Sequence, residues 1–194
     1  MVIGIIDIGI GNIMSIVSAL KFIGVSNIVM ISNQNDFNKC DKVIFPGQGS
    51  FLGIKDSLNK LDLLQAIRST KKKFLGICLG MHVLSCFNNE GKSIGNCLYN
   101  NNVCSFNNTT FSKVPNIGWS EVNILKPNPF ILNTSHFYFS HSFYLKLNIY
   151  SLGSSFYCNR FCSFFKKRNF IGVQFHPEKS GQQGIIFLSN FIKW

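Results

Sequence analysis

The chain has 194 residues, 46% hydrophobic and only 14% charged, a balance that suits one packed domain over residues 1–194 and excludes a disordered chain. The formal charge of +11 is scattered apart from Lys71-Lys72-Lys73 and Lys166-Lys167-Arg168, and usage rich in Lys, Asn, Ile and Phe but poor in Arg reads as drift toward AT-rich codons, not as a nucleic-acid surface. No apolar run is long enough to span a bilayer, and seven irregularly spaced cysteines make no disulfide framework, so no membrane role and a reducing, cytoplasmic setting are expected.

Residues 2–7 read as a first strand: no basic leader precedes them and Asp7 interrupts the apolar run, so they are not a signal peptide. Gly9-Ile10-Gly11-Asn12 then opens a helix to about Phe22, with Asn12 as N-cap. A dinucleotide-binding fingerprint fails here, because its third glycine would fall on Met14. Strands follow at 27–31 and 42–45. The second is stopped by Pro46-Gly47-Gln48-Gly49-Ser50, a loop that can present backbone N–H groups to an anion or serve as a plain turn. Helices near 51–58 and 61–70 come next, then a strand at 74–77. Both basic runs precede apolar segments and are expected in solvated loops.

The strand at 74–77 ends in Gly76-Ile77-Cys78-Leu79-Gly80, followed by apolar residues at helical spacing, Leu79, Val83, Leu84 and Phe87. Small residues on both sides of one reactive side chain, at a strand-to-helix junction, describe a nucleophile elbow with sulfur as the nucleophile. A helix N-terminus favours the thiolate. The competing reading is a small buried hydrophobe. Strands alternating with helices predict an open parallel sheet, whose ligands sit at the carboxyl ends of the strands. The 46–50 loop and Cys78 both lie at such ends.

After Phe87 the character changes. Loop signals at 88–91 and 100–102 are followed by short apolar runs at 102–106, 121–125, 136–140, 143–147, 150–152, 161–165 and 170–174, which predict mixed or antiparallel strands. Residues 181–194 read as a closing helix. The fold class is α/β: a single open mixed sheet flanked by helices, with a β-rich second half.

A thiolate nucleophile needs a base, and the base an orienting group. Of the four histidines, His176 ends a strand pattern and is followed two residues later by Glu178, one of only eight acids. Pro177 biases His176 toward an extended conformation, and positions two apart on an extended segment point the same way, so Glu178 can fix the imidazole. Zinc is a poor fit, since no Cys-x-x-Cys is present and Cys158 and Cys162 lack a partner histidine at ligand spacing. An α/β-hydrolase would need an acid and then a separate distant histidine.

Gly76-Ile77-Cys78-Leu79-Gly80-Met81, Pro46-Gly47-Gln48-Gly49 and Gln174-Phe175-His176-Pro177-Glu178 together resemble the class I (triad) glutamine amidotransferases, whose fold is flavodoxin-like. Asp7 to Asn12, Val114-Pro115-Asn116-Ile117-Gly118-Trp119, Tyr138 to Tyr144 and Lys179-Ser180-Gly181 narrow the likeness to the glutaminase subunits of imidazole glycerol phosphate synthase. The resemblance implies hydrolysis of L-glutamine by a Cys78, His176 and Glu178 triad, with no cofactor and no metal. It implies an oxyanion hole from the backbone of Gln48 and Leu79, and glutamine held by Gly47, Gly49, His82, Ser142 and Phe143. It also implies a heterodimer with a (β/α)8-barrel cyclase that receives the ammonia, met through Asn12, Trp119 and Lys179. The isolated chain should hydrolyse glutamine poorly. The chain departs from the family at His82, where glutamine is usual, at Gln48, where an apolar residue is common, and at Ile8, where an aromatic is. An amidotransferase for another acceptor and a non-catalytic docking subunit therefore stay open at the level of sequence.

Overall fold

The computed structural model describes residues 1–9, 12–47, 58, 61–88, 99–107 and 113–194, with the backbone alone at 86–88 and 99–100. Five short strands form a parallel array in the order β2 (Ile28–Ile31), β1 (Ile3–Ile6), β3 (Lys42–Phe45), β4 (Lys73–Ile77), β12 (Phe170–Val173). Beyond β12 the sheet turns antiparallel, through β11 (Asn159–Lys167), β10 (Ser151–Tyr157), β7 (Asn116–Ile124) and β8 (Ser135–His141). A side branch runs from β11 to β9 (Phe143–Leu145), β6 (Tyr99–Ser105) and β5 (Ser85–Asn88). The expected open mixed sheet with a β-rich second half is what forms.

The central parallel strands are apolar throughout because both faces are covered. Their period-two alternation sorts the core. Ile3, Ile5, Ile44, Leu75 and Ile77 pack with α1 (Ile13–Phe22) and α5 (Gly181–Lys193). Ile6, Val43, Phe45 and Phe74 pack with α2 (Gln34–Lys39), α3 (Leu63–Ser69) and α4 (Leu79–Val83) on the other face. Asn12 caps α1, its Oδ1 accepting from Ser15 N at 3.3 Å.

Several expectations need correction. The apolar pattern after Cys78 does not continue as one helix: α4 stops at Val83 and the chain enters β5, so Phe87 is a strand residue. Strand pairing with β6 there overrides the helical spacing. Helix α2 is absent from the sequence reading, since its six polar-rich residues bury only Phe37; Asn33 caps it by accepting from Asp36 N. The basic runs are not wholly in loops, for Lys73 opens β4 and Lys166 and Lys167 close β11. Residues 48–50 and most of the helix expected at 51–58 lie outside the described residues.

This topology positions a site. β3, β4 and β12 are neighbours and parallel, with Phe45 opposite Gly76 and Val173 opposite Ile77. The segments leaving their carboxyl ends, Pro46-Gly47, Cys78 and Gln174-Phe175-His176, therefore emerge side by side. Phe175 anchors the last of these: its ring stacks on Phe137 of β8 at 4.1 Å and meets Phe187 of α5 edge-on at 5.5 Å. Burying each such ring contributes about 1.5–3 kcal/mol.

Candidate active site

Cys78 sits at φ 52°, ψ −103°, a left-handed conformation that costs a non-glycine residue about 1–3 kcal/mol. The turn is held by backbone bonds, Cys78 N–H donating to Val173 O at 2.7 Å and His82 N–H to Cys78 O at 3.2 Å. Its flanking glycines are required by contact. A Cβ on Gly76 would lie 2.5 Å from Gly80 O, and one on Gly80 would lie 1.9 Å from Phe45 O. The elbow is thus pressed onto β3 with no room for a side chain. Helix α4 has only five residues, so the dipole expected behind the thiolate shrinks to its first few N–H groups.

The histidines separate by environment. His176 is 1% exposed, and its Nδ1 lies 2.8 Å from Glu178 Oε1. Burial opposes its charge, but the Cys78 sulfur and then the Glu178 carboxylate outweigh burial and push its pKa up to about 10. Its Nε2 is buried with no hydrogen-bond partner, so the imidazole holds one face ready for a reacting group. The pair is not made by an extended segment as expected. His176 is extended, but Pro177–Lys179 turn as a 3-10 helix that brings Glu178 back onto Nδ1. Burial pushes His82 down to about 4 against the hydrogen bond it donates to Gln174 Oε1, which raises it. It pushes His141 down to about 3, against its bond to Phe143 O. His82 and His141 are neutral, and His176 alone of these three is built to carry a proton.

The profile described as Glutamine amidotransferase class-I matches residues 4–194. The chain belongs to that family. The amidotransferase is 36% identical over its whole length to the imidazole glycerol phosphate synthase subunit HisH of Buchnera aphidicola subsp. Acyrthosiphon pisum, covering all of that protein. It is 36% identical to the subunit of the same name from Methanocaldococcus jannaschii, with 98% of each chain covered. A crystal structure of a glutamine amidotransferase superposes with a TM-score of 0.77 at 14% identity, covering 100% of this chain and 98% of that one. The structure of PurLQS from Thermotoga maritima gives 0.72 at 13%, covering 98% and 97%. At such identities these structures speak for the fold alone.

Of the other residues singled out above, the amidotransferase brings Leu79 and Gly47 together, Leu79 N–H donating to Gly47 O at 3.4 Å. Gln48 and Gly49 lie outside the described residues. Ser142 is the bend between β8 and β9 and Phe143 opens β9; His141 braces this junction, its Nδ1–H donating to Phe143 O at 2.7 Å while Nε2 accepts from Asn116 Nδ2 at 3.2 Å. His82 is buried, its Nε2 2.7 Å from Gln174 Oε1. Asn12, Trp119 and Lys179 share one surface. Trp119 meets Tyr138 edge-on, Lys179 Nζ lies 5.7 Å from the same ring, and Asn12, Glu178 and Gly181 line a cleft of about 540 Å³ between α1 and α5. The cleft touches the triad at Glu178; Cys78 does not line it.

Two residues of the site go unassigned in the sequence reading. Ser180 donates to His176 O at 2.6 Å and accepts from Tyr138 N at 3.0 Å, tying the histidine to β8 and α5. Gln174 donates from Nε2 to Cys78 Sγ at 3.6 Å. Its signal was parity: in the strand pattern of the sequence it precedes His176 by two, which predicts the same side. Among the described residues no cluster of His, Cys, Asp and Glu could hold a metal ion.

Proposed function

We propose that the chain hydrolyses the side-chain amide of L-glutamine through Cys78, His176 and Glu178, and passes the ammonia to a (β/α)8-barrel cyclase subunit of imidazole glycerol phosphate synthase in histidine biosynthesis. The single observation that carries this reading is His176, bonded at Nδ1 to Glu178 and open at Nε2, on the segment that leaves the strand next to the Cys78 elbow. Sγ attacks the amide carbon, and His176 gives its proton to the departing ammonia. The glutamyl thioester is then attacked by water, whose proton His176 takes, releasing glutamate and the thiol. Glu178 holds the imidazolium through both steps. Leu79 N–H and the backbone of Gln48 would stabilise the oxyanion. Gly47, Gly49, His82, Ser142 and Phe143 would hold glutamine.

Leu79 N–H is engaged with Gly47 O, so that contact must open before the amide can serve an oxyanion. This supports slow hydrolysis by the chain alone and faster hydrolysis once a partner docks. The partner surface would be the one carrying Asn12, Trp119 and Lys179. Met14 at 67%, Phe22 at 79% and Trp119 at 57% exposure are large apolar groups of the kind a second protein covers. Lys179 directly follows the triad glutamate, so docking would be felt at the site.

The test is glutamate release by the purified chain, alone and mixed with a cyclase subunit. Cys78→Ala should lower glutamine hydrolysis about 10⁴-fold or more, while the complex still uses free ammonia. Residual hydrolysis close to that of the parent chain would overturn the assignment of Cys78.

A further inference from the structure

Gln174 bridges two groups of the site. Its Oε1 lies 2.7 Å from His82 Nε2, and its Nε2 lies 3.6 Å from Cys78 Sγ. His82 is 5% exposed and Gln174 wholly buried, so neither bond is shared with bulk solvent. The sulfur has a second polar contact, the Ser140 carbonyl at 3.8 Å. A carbonyl only accepts and so favours the protonated thiol, whereas an amide N–H donates and favours the thiolate. Beside the charge of His176, which also favours the thiolate, the balance at sulfur therefore turns on which end of the Gln174 amide faces it.

A primary amide presents either end with little change of shape, and its other partner decides the sense. An imidazole protonated at Nε2 must take Oε1, which leaves the NH2 group for sulfur. We propose that His82 is a positioning residue: through Gln174 it aims an amide N–H at Cys78 Sγ and holds the nucleophile in its reactive form. The proposal rests on the glutaminase reading and adds to it a role for the position at which this chain departs from the family pattern. The glutamine usual at that position carries an Nε2–H donor of similar reach, so the departure keeps the donor.

The surroundings keep this arrangement constant. Burial holds His82 neutral across the working range of pH. The other titratable groups of the cluster are Cys78 itself, His141, His176 and Glu178. His141 commits both ring nitrogens to Phe143 and Asn116, and His176 commits Nδ1 to Glu178. None of these bonds competes for the Gln174 amide.

The experiment is the pH profile of Cys78 alkylation by iodoacetamide in the full-length chain, read by mass spectrometry of the Cys78 peptide. His82→Leu and Gln174→Leu should each slow alkylation at pH 7 about tenfold and move the profile about one pH unit upward. The double variant should do no more than either single one, since both break the same link. His82→Gln should keep the parent profile. Where His82→Leu loses its fold by circular dichroism, His82→Asn replaces it, because its shorter amide stops short of Gln174. An unmoved profile in the folded variants, with or without a raised KM for glutamine, overturns the proposal; a raised KM alone would make His82 a direct substrate contact. Iodoacetamide needs no glutamine, so this result is independent of whether glutamine is the substrate, which glutamate release tests separately.

Discussion

At the scale of single residues, the site works through close contacts, and the one bond that His176 keeps in reserve is at Nε2. Glu178 gives one oxygen to His176 Nδ1 and so fixes the tautomer in which Nε2 faces the chemistry. In Glu178→Gln the negative charge is lost and the amide can present the wrong end. The kcat for glutamine should fall about 10²–10⁴-fold, with KM much less affected, as steady-state glutamate release would measure. Gly80 is the other extreme, a residue whose contribution is to have no side chain. A methyl group there would overlap the Phe45 carbonyl, an immovable backbone atom. Gly80→Ala should cost about 1–3 kcal/mol and lower the melting temperature about 2–4 °C for each of those kcal/mol, with loss of activity because the elbow must shift. A circular dichroism melt that matches the parent would contradict the contact.

At the scale of elements, what was legible depended on how strongly one face was committed. The buried parallel strands announced themselves because covering both faces demands unbroken apolar runs such as Val43-Ile44-Phe45 and Phe74-Leu75. The elbow was legible because close backbone approach leaves glycine as the workable choice at Gly76 and Gly80. Helix α2 was not, since it buries one phenylalanine and depends on the Asn33 cap. The end of α4 was not, since Leu84 and Phe87 satisfy helical spacing while the backbone leaves to pair with β6. Gln174 escaped because its role lies in two bonds formed across the sheet, to residues more than ninety positions away. Lys42 is similar. It lies on a buried strand, yet its Nζ donates to Phe191 O at 3.2 Å and Ile192 O at 2.6 Å, capping the C-terminus of α5. Burial first, and Lys73 second, lower its pKa, and the carbonyls at the helix C-terminus oppose both by favouring the ammonium. Lys42→Ala should destabilise the chain by about 1.5–3 kcal/mol in urea unfolding, with glutaminase kinetics retained in the folded fraction.

At the scale of the whole molecule, the buried histidines set how stability responds to pH. His82 and His141 have pKa values near 4 and 3 in the folded state against 6.5 in the unfolded chain. Between those limits the unfolded chain binds protons that the folded one does not, so stability falls as pH drops below about 6.5. His176 acts in the opposite sense. Its folded pKa of about 10 lies above the unfolded value, so the folded state binds the extra proton between about 6.5 and 10. Its contribution is complete below 6.5 and lost as pH rises toward 10. Stability should therefore peak near pH 6.5, with the acid limb steeper because two groups titrate there against one on the alkaline side. Urea midpoints measured from pH 4 to pH 10 check this. His176→Gln should flatten the alkaline limb and leave the acid limb intact, while His82→Gln should make the acid limb shallower by about one proton. An acid limb unchanged in His82→Gln would mean that His82 titrates alike in the folded and unfolded chains, against its burial beside Gln174.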